Sequence, residues 1–286
     1  MKKFLLFLIM LAGCCLSAQK AISLPGSITL ESGNVLIRLD AKKRWNINRI
    51  EWKKHLLGVD FPGAHYGIVY KRLGSKFAIG TGHDESGTGE DVISLKIFAD
   101  HKEITPEENK VIRGNIIRIE KVSRIADLSA RSITVIEKNI LRETASVSAE
   151  KAVKLDHIYF IMHPWSTRFD KYYVVYPDGR KKEAAFKSDN SFPNRKFAPF
   201  MAWYETKSGL GAVTFIRNIK GAKFSQRYLW DRKNYRKDYL CDYYRTTFPA
   251  GKEVVYEAVT GFFQQLEHAK WTEDAENCMK SLSQIQ

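Results

Sequence analysis

From Ser27 to about Phe263 the chain is a succession of short apolar runs broken by turn residues, with no helical run between one and the next. The stretch "NVLIRLD" (34–40) sets Val35, Ile37 and Leu39 against Asn34, Leu36, Arg38 and Asp40, close to the period of two that a strand requires. Similar runs rich in Ile, Val and Tyr recur at 66–72, 92–98, 115–122, 132–141, 155–163, 172–176, 198–205, 211–217 and 253–263. Strands at this spacing, without alternating helices, predict an all-β protein: a large two-sheet antiparallel sandwich rather than a βαβ fold. The rhythm changes at Gln264. Leu266, Ala269, Trp271, Cys278 and Leu282 recur among polar residues with no Gly or Pro, which predicts a short helix within 264–286 packed on the sandwich. No Pro/Gly/Ser-rich linker or fixed-period repeat interrupts 19–263, which therefore reads as one domain.

The first residues, "MKKFLLFLIMLAGCC", place Lys2 and Lys3 before an apolar run from Phe4 to Leu11 that is too short to span a bilayer. This is the pattern of an export signal within 1–18. Leu11-Ala12-Gly13-Cys14 resembles the lipobox of bacterial lipoproteins, which implies lipidation of Cys14 and a membrane anchor. A cut after Ala18 would instead release a soluble secreted protein. Both expectations put the mature chain outside the cytoplasm, in the periplasm, on the outer membrane or beyond. Lys and Arg number 46 against 32 Asp and Glu, a formal charge of +14, and such a field favours polyanionic partners. In an oxidising compartment Cys241 and Cys278 could pair if the fold brings them together.

Four stretches carry candidate chemistry. "FAIGTGHDESGTGED" (77–91) sets His83 among carboxylates and glycines. It reads either as a solvated turn or as an acid–base loop in which Glu85 holds the His83 tautomer. It lacks the spacing of a calcium loop, so no metal or other cofactor is expected. "GAHYGIVY" (63–70) brings His65 to a strand mouth, and Tyr70 is its better partner because Tyr66 must point to the opposite face. "FIMHPWSTRFD" (160–170) joins His163, Trp165 and Arg168, a ring and a cation suited to an acidic sugar, unless Trp165 is simply core. "QRYLWDRKNYRKDYLCDYYR" (226–245) interleaves Trp230, Arg232 and several tyrosines with basic residues. That pattern suits a polyanion groove. No nucleic-acid motif accompanies it, and an exported chain makes nucleic acid the weaker partner. His55, His101, His157 and His268 read as structural or exposed.

"VLIRLDAKKRWNINRIEWKKHLLG", the pair "GAHYGIVY" and "IGTGHDESG", and "TTFPAGKEVVYEAVTGFF" together resemble the galactose-mutarotase-like supersandwich shared by aldose epimerases and by domains of many polysaccharide lyases and glycoside hydrolases. The resemblance implies two histidines and a late glutamate at the site, roles open to His65 or His83, His163 and Glu257. The expectation is a carbohydrate-active protein that acts on or binds an acidic polysaccharide. If catalytic, it would work by lyase or epimerase-type proton abstraction, with His83 or His65 as acid or base, Tyr70 or His163 as partner, and Arg168 neutralising the substrate carboxylate. The alternative is a non-catalytic glycan-binding envelope lipoprotein in which Trp165, Trp203 and Trp230 are stacking platforms.

Overall fold

The structure, a computed structural model, describes residues 24–59, 61, 66–81, 89–221 and 225–285. The first strands are β1 (Ser27–Ser32), β2 (Val35–Asp40), β3 (Asn46–Trp52), β4 (His55–Gly58), β5 (Val69–Arg72), β6 (Ile79–Gly80), β7 (Glu90–Ala99) and β8 (Lys102–Ile104). Next come β9 (Val111–Arg113), β10 (Ile116–Ile125), β11 (Leu128–Glu137), β12 (Ile140–Ala149), β13 (Val153–Trp165), β14 (Lys171–Val175) and β15 (Lys181–Ala185). The chain closes with β16 (Phe200–Tyr204), β17 (Leu210–Lys220), β18 (Ser225–Asp231), β19 (Arg236–Asp242), β20 (Thr246–Phe248), β21 (Glu253–Gln264) and α1 (Trp271–Ser283).

These strands form two sheets. One runs β18-β19-β13-β4-β3-β2-β1-β9, with β5, β6 and β20 joined along β13; the other runs β15-β14-β16-β17-β21-β12-β11-β10-β7-β8. Pairing among the described strands is antiparallel except between β1 and β9, where Thr29 lies beside Val111 in a parallel ladder. The expected two-sheet sandwich is therefore present. Several of its corners carry no Asn-Gly or Asp-Gly signal: Lys53-Lys54, Asp100-His101 and Lys138-Asn139 turn the β3–β4, β7–β8 and β11–β12 hairpins with positive φ at both residues. Side chains offset that strain. Asp100 accepts hydrogen bonds from the backbone N–H groups of Asn115 and Ile116, and Asn139 accepts from Asn34.

The inner faces meet in a continuous core. Ile37, Ile50 and Trp165 of the first sheet pack against Ile97, Leu141 and Trp203 of the second. Trp165 and Trp203 are 0% exposed, their ring centroids 5.1 Å apart. Neither can serve as a sugar platform, because period two turned both rings inward.

The helix covers the outer face of the second sheet. Trp271, Ala275, Met279 and Leu282 form its buried stripe, and Trp271 stacks on Tyr204 at 4.9 Å. It starts seven residues later than the change of rhythm at Gln264 suggests, since Gln264 still pairs with Leu210 in the ladder. Gly261 lets it sit close: a Cβ there would lie 2.8 Å from Cys278 Sγ. Cys278 and Cys241 are both free thiols.

Candidate functional site

The outer face of the first sheet is unlike a solvated strand surface. Alternation in β18 points Arg227 and Leu229 into the sandwich and Tyr228 and Trp230 away from it. In β19 the register sets Lys237 opposite Trp230, Tyr239 opposite Tyr228, and Cys241 opposite Gln226. On the other side of β19, a bulge in β13 between Tyr159 and Ile161 turns Phe160 and Ile161 both inward. Tyr159 and Met162 consequently share the outer face with Tyr239.

The result is a row of rings. His157 lies 4.5 Å from Tyr159, Tyr159 is 4.7 Å from Tyr239, and Tyr239 is 5.2 Å from Tyr228. Phe192, from the segment after β15, continues the row at 6.0 Å from Tyr228 and stacks on Trp230 at 5.0 Å. Cations stand over these rings: Arg195 over Phe192 at 4.5 Å, Arg232 over Trp230 at 4.3 Å, and Lys237 at 5.5 Å from Tyr239. At the other end Asp156 accepts from His157 Nδ1 at 3.1 Å and lies 3.8 Å from Lys71 and 3.7 Å from Arg245.

Burial tunes these groups. It raises the Tyr159 and Tyr239 hydroxyls far above their ordinary value, so both stay neutral donors and acceptors. Burial, with Lys71 adding to it, holds His157 below the usual imidazole value against the opposing pull of Asp156. Lys237 is brought down to about 8 by burial and by the neighbouring Arg232. The face can thus stack a ring, share hydrogen bonds and hold an anion, and its neutral imidazole can take a proton.

Beneath it lies a charged frame. Arg227 is 0% exposed and bonds Asp238 through Nε at 2.8 Å and Nη2 at 2.6 Å. Its Nη1 reaches the carbonyls of Ala198, Pro199 and Thr214 across the sandwich. At the hairpin tip Asp231 pairs with Arg236 and accepts the backbone N–H groups of Lys187 and Ser188, which pins the polar segment after β15 beside the face.

No family model matches the chain, and no curated protein matches it in sequence. Solved structures do match. The Slr1438 protein of Synechocystis sp. PCC 6803 aligns at 6% identity and TM-score 0.55 over 84% of this chain and 96% of that one. The α-N-acetylgalactosaminidase NagBb of Bifidobacterium bifidum aligns at 9% and 0.53 over 89% of this chain and 38% of that one. A galactose mutarotase related enzyme from Lactobacillus acidophilus aligns at 9% and 0.47 over 84% and 98%. Over most of its length the chain shares the fold of the Slr1438 protein and of the matched part of NagBb. Identities this low concern the supersandwich fold alone, and the site must be read from this chain's own residues.

The histidine–histidine–glutamate set implied by the supersandwich resemblance is not gathered by the described residues. His163 is buried between the sheets, hydrogen-bonded through Nε2 to Glu143. Glu257 pairs with Arg217, which also bonds the backbone of Ile285 just past α1. Tyr70 points into the core and donates to Asp127. Arg168 is held by Glu205 through two bonds of 3.0 Å, so its fork is already filled. Trp230 and Arg232 do reach the outer face, although Trp230 is already partnered by Phe192 and Arg232 and donates to Asn190. His65, His83 and Glu85 lie outside the described residues, as does Cys14. Of the other carboxylates in the Gly-rich motif, Glu90 begins β7 as a buried anchor that pairs with Lys121 at 2.7 Å and accepts from Asn46 and Thr81.

His157 and Lys237 are the residues that sequence reasoning passed over. The signal was present: "DHIYF" spaces His157 and Tyr159 by two, and "KDYLC" does the same for Lys237, Tyr239 and Cys241.

The His163–Glu143 pair makes stability depend on pH. Burial alone would lower the imidazole value, but the Glu143 carboxylate outweighs it and the net shift is upward. A raised folded-state value adds stability that is complete below the unfolded value of about 6.5 and fades as pH rises through the folded one. Urea midpoints of wild type and His163→Gln should therefore differ most at acidic pH and converge as pH rises. A gap that widens with pH would contradict this sign.

Proposed function

We propose that this protein recognises an acidic polysaccharide on the outer face of β5, β13, β19 and β18. The observation that carries the reading is the continuous row of rings with three cations set over it. Aromatic faces stack on the C–H face of a pyranose, while Lys and Arg pair with carboxylate or sulfate groups. The charge of +14 favours encounter with such a chain, and the carbohydrate-related neighbour NagBb is in keeping with a sugar ligand. The leader with its Leu11-Ala12-Gly13-Cys14 motif supports an exported protein, either lipid-anchored or released, placed where polysaccharides occur.

A catalytic version of this reading is favoured by one feature. His157, oriented by Asp156 and 4.5 Å from Tyr159, can abstract a proton α to a uronate carboxylate or at a sugar carbon while the tyrosine hydroxyl protonates the leaving oxygen. His65, His83 and Glu85 remain candidates for the same chemistry.

Binding is tested by titrating the protein with polygalacturonate and with dextran. The acidic polymer should bind more tightly, and Tyr159→Ala with Tyr228→Ala should weaken it about ten-fold. No binding to either polymer would remove the reading. Release of an unsaturated uronate, followed by its absorbance and abolished in His157→Gln, would establish the catalytic version; binding without turnover would leave the non-catalytic one.

A further inference from the structure

Among the described residues four lysines and arginines are buried, and three of them face a carboxylate. Lys121 pairs with Glu90, Arg227 with Asp238, and Arg236 with Asp231. Lys237 is the exception. It is 6% exposed, no described carboxylate or carbonyl accepts from its ammonium, and the Tyr239 ring lies 5.5 Å from it. A buried charge without a counterion costs stability, and such a cost points to a ligand more readily than to the fold.

We propose that Lys237 is the anion-reading residue of the ring face, its ammonium pairing with the carboxylate or sulfate of a sugar that lies on Tyr228 and Tyr239. This deepens the acidic-polysaccharide reading and rests on it. The register supports the geometry, because Lys237 stands between Trp230 of β18 and Pro164 of β13, on the same face as Tyr239. Among the described residues, the groups around it leave the anion's place to a ligand. Met162 and Pro164 of β13 carry no charge; Tyr228 and Trp230 of β18 and Tyr239 of β19 are neutral; Arg232, between β18 and β19, is a second cation; and Arg195, over Phe192, is a third. Two close cations in a desolvated setting attract one anion more strongly than they would in water. Burial, with Arg232 adding to it, lowers the proton affinity of Lys237 to about 8, and this supports a binding strength that falls as pH rises through that value.

The test measures dissociation constants of the full chain for polygalacturonate, dextran sulfate and neutral dextran between pH 6.5 and 9.5. Lys237→Met keeps the apolar stem and removes the charge, while Lys237→Arg keeps the charge at every pH in the range. Lys237→Met should weaken the anionic polymer that carries the true ligand group about ten-fold or more, leave dextran unchanged, and be at least as stable in urea as wild type. Loss for polygalacturonate alone assigns a carboxylate, and loss for dextran sulfate alone assigns a sulfate. Lys237→Arg should keep the affinity and lose its decline near pH 8. Equal affinity of wild type and Lys237→Met for both anionic polymers, or a matching loss for dextran, overturns the inference while the ring face still binds. If wild type binds none of the three, it is the broader reading that has failed.

Discussion

Asp238→Ala is expected to cost the fold about 3–5 kcal/mol, which is the usual penalty for stripping one partner from a buried ion pair. Arg227 has no exposed surface, and Asp238 takes two of its N–H groups. The remaining Nη1 ties β18 to the carbonyls of Ala198, Pro199 and Thr214, so the guanidinium bolts the two sheets together under the ring face. Truncating the acid leaves that cation in the core, where neither water nor another described carboxylate replaces the lost contacts. Urea denaturation followed by fluorescence reads the effect directly. The double variant Arg227→Met with Asp238→Leu should regain most of the loss, because an apolar pair of similar volume removes the stranded charge. If Asp238→Ala unfolds within about 1 kcal/mol of wild type, the pair is not the strut described here.

Trp203→Ala comes next in size, at about 3–5 kcal/mol, the range for emptying a large aromatic site in a close-packed core. Trp203 packs tilted against Trp165 between the sheets, ring centroids 5.1 Å apart, and has Arg227 6.0 Å from its ring. The surrounding strands are fixed by their ladders and cannot collapse into the void, so the cavity term adds to the lost burial. The functional readout separates this role from a sugar platform. Under conditions where the variant is still folded, its affinity for polygalacturonate should match wild type, whereas Tyr228→Ala should weaken binding and leave stability nearly unchanged. A Trp203→Ala protein that stays stable but loses glycan affinity would return that ring to the ligand.

The contrast between Trp203 and Tyr228 shows how far the sequence could be read. The segment 226–245 was legible as a ring-and-cation surface because its aromatic and basic residues interleave; the structure showed that they lie on two adjacent strands of one hairpin. His157 was not, since nothing local distinguishes it from a histidine at a solvated strand position. Only its pairing with β5, where Lys71 lies opposite, and the bulge that aligns Tyr159 with Tyr239 place it on the ring face. Arg168 and His163 failed for the reverse reason. Their chemistry was suited to a uronate, but Glu205 and Glu143, each more than fifteen residues away in the chain, occupy them first.

The sequence by itself determined the all-β two-sheet architecture, the helix at its end, the basic charge and the segment that bears the interleaved rings and cations. All of these follow from periodicity and composition, which are local. The tertiary structure alone decided which face of each strand is the inside. A period of two defines two faces without ranking them, and where both carry rings, as in β13, hydrophobicity does not separate core from surface. Long-range pairing and the β13 bulge made that choice: they put Trp165 and Trp203 in the core, and left Tyr159, Tyr228 and Lys237 facing outward.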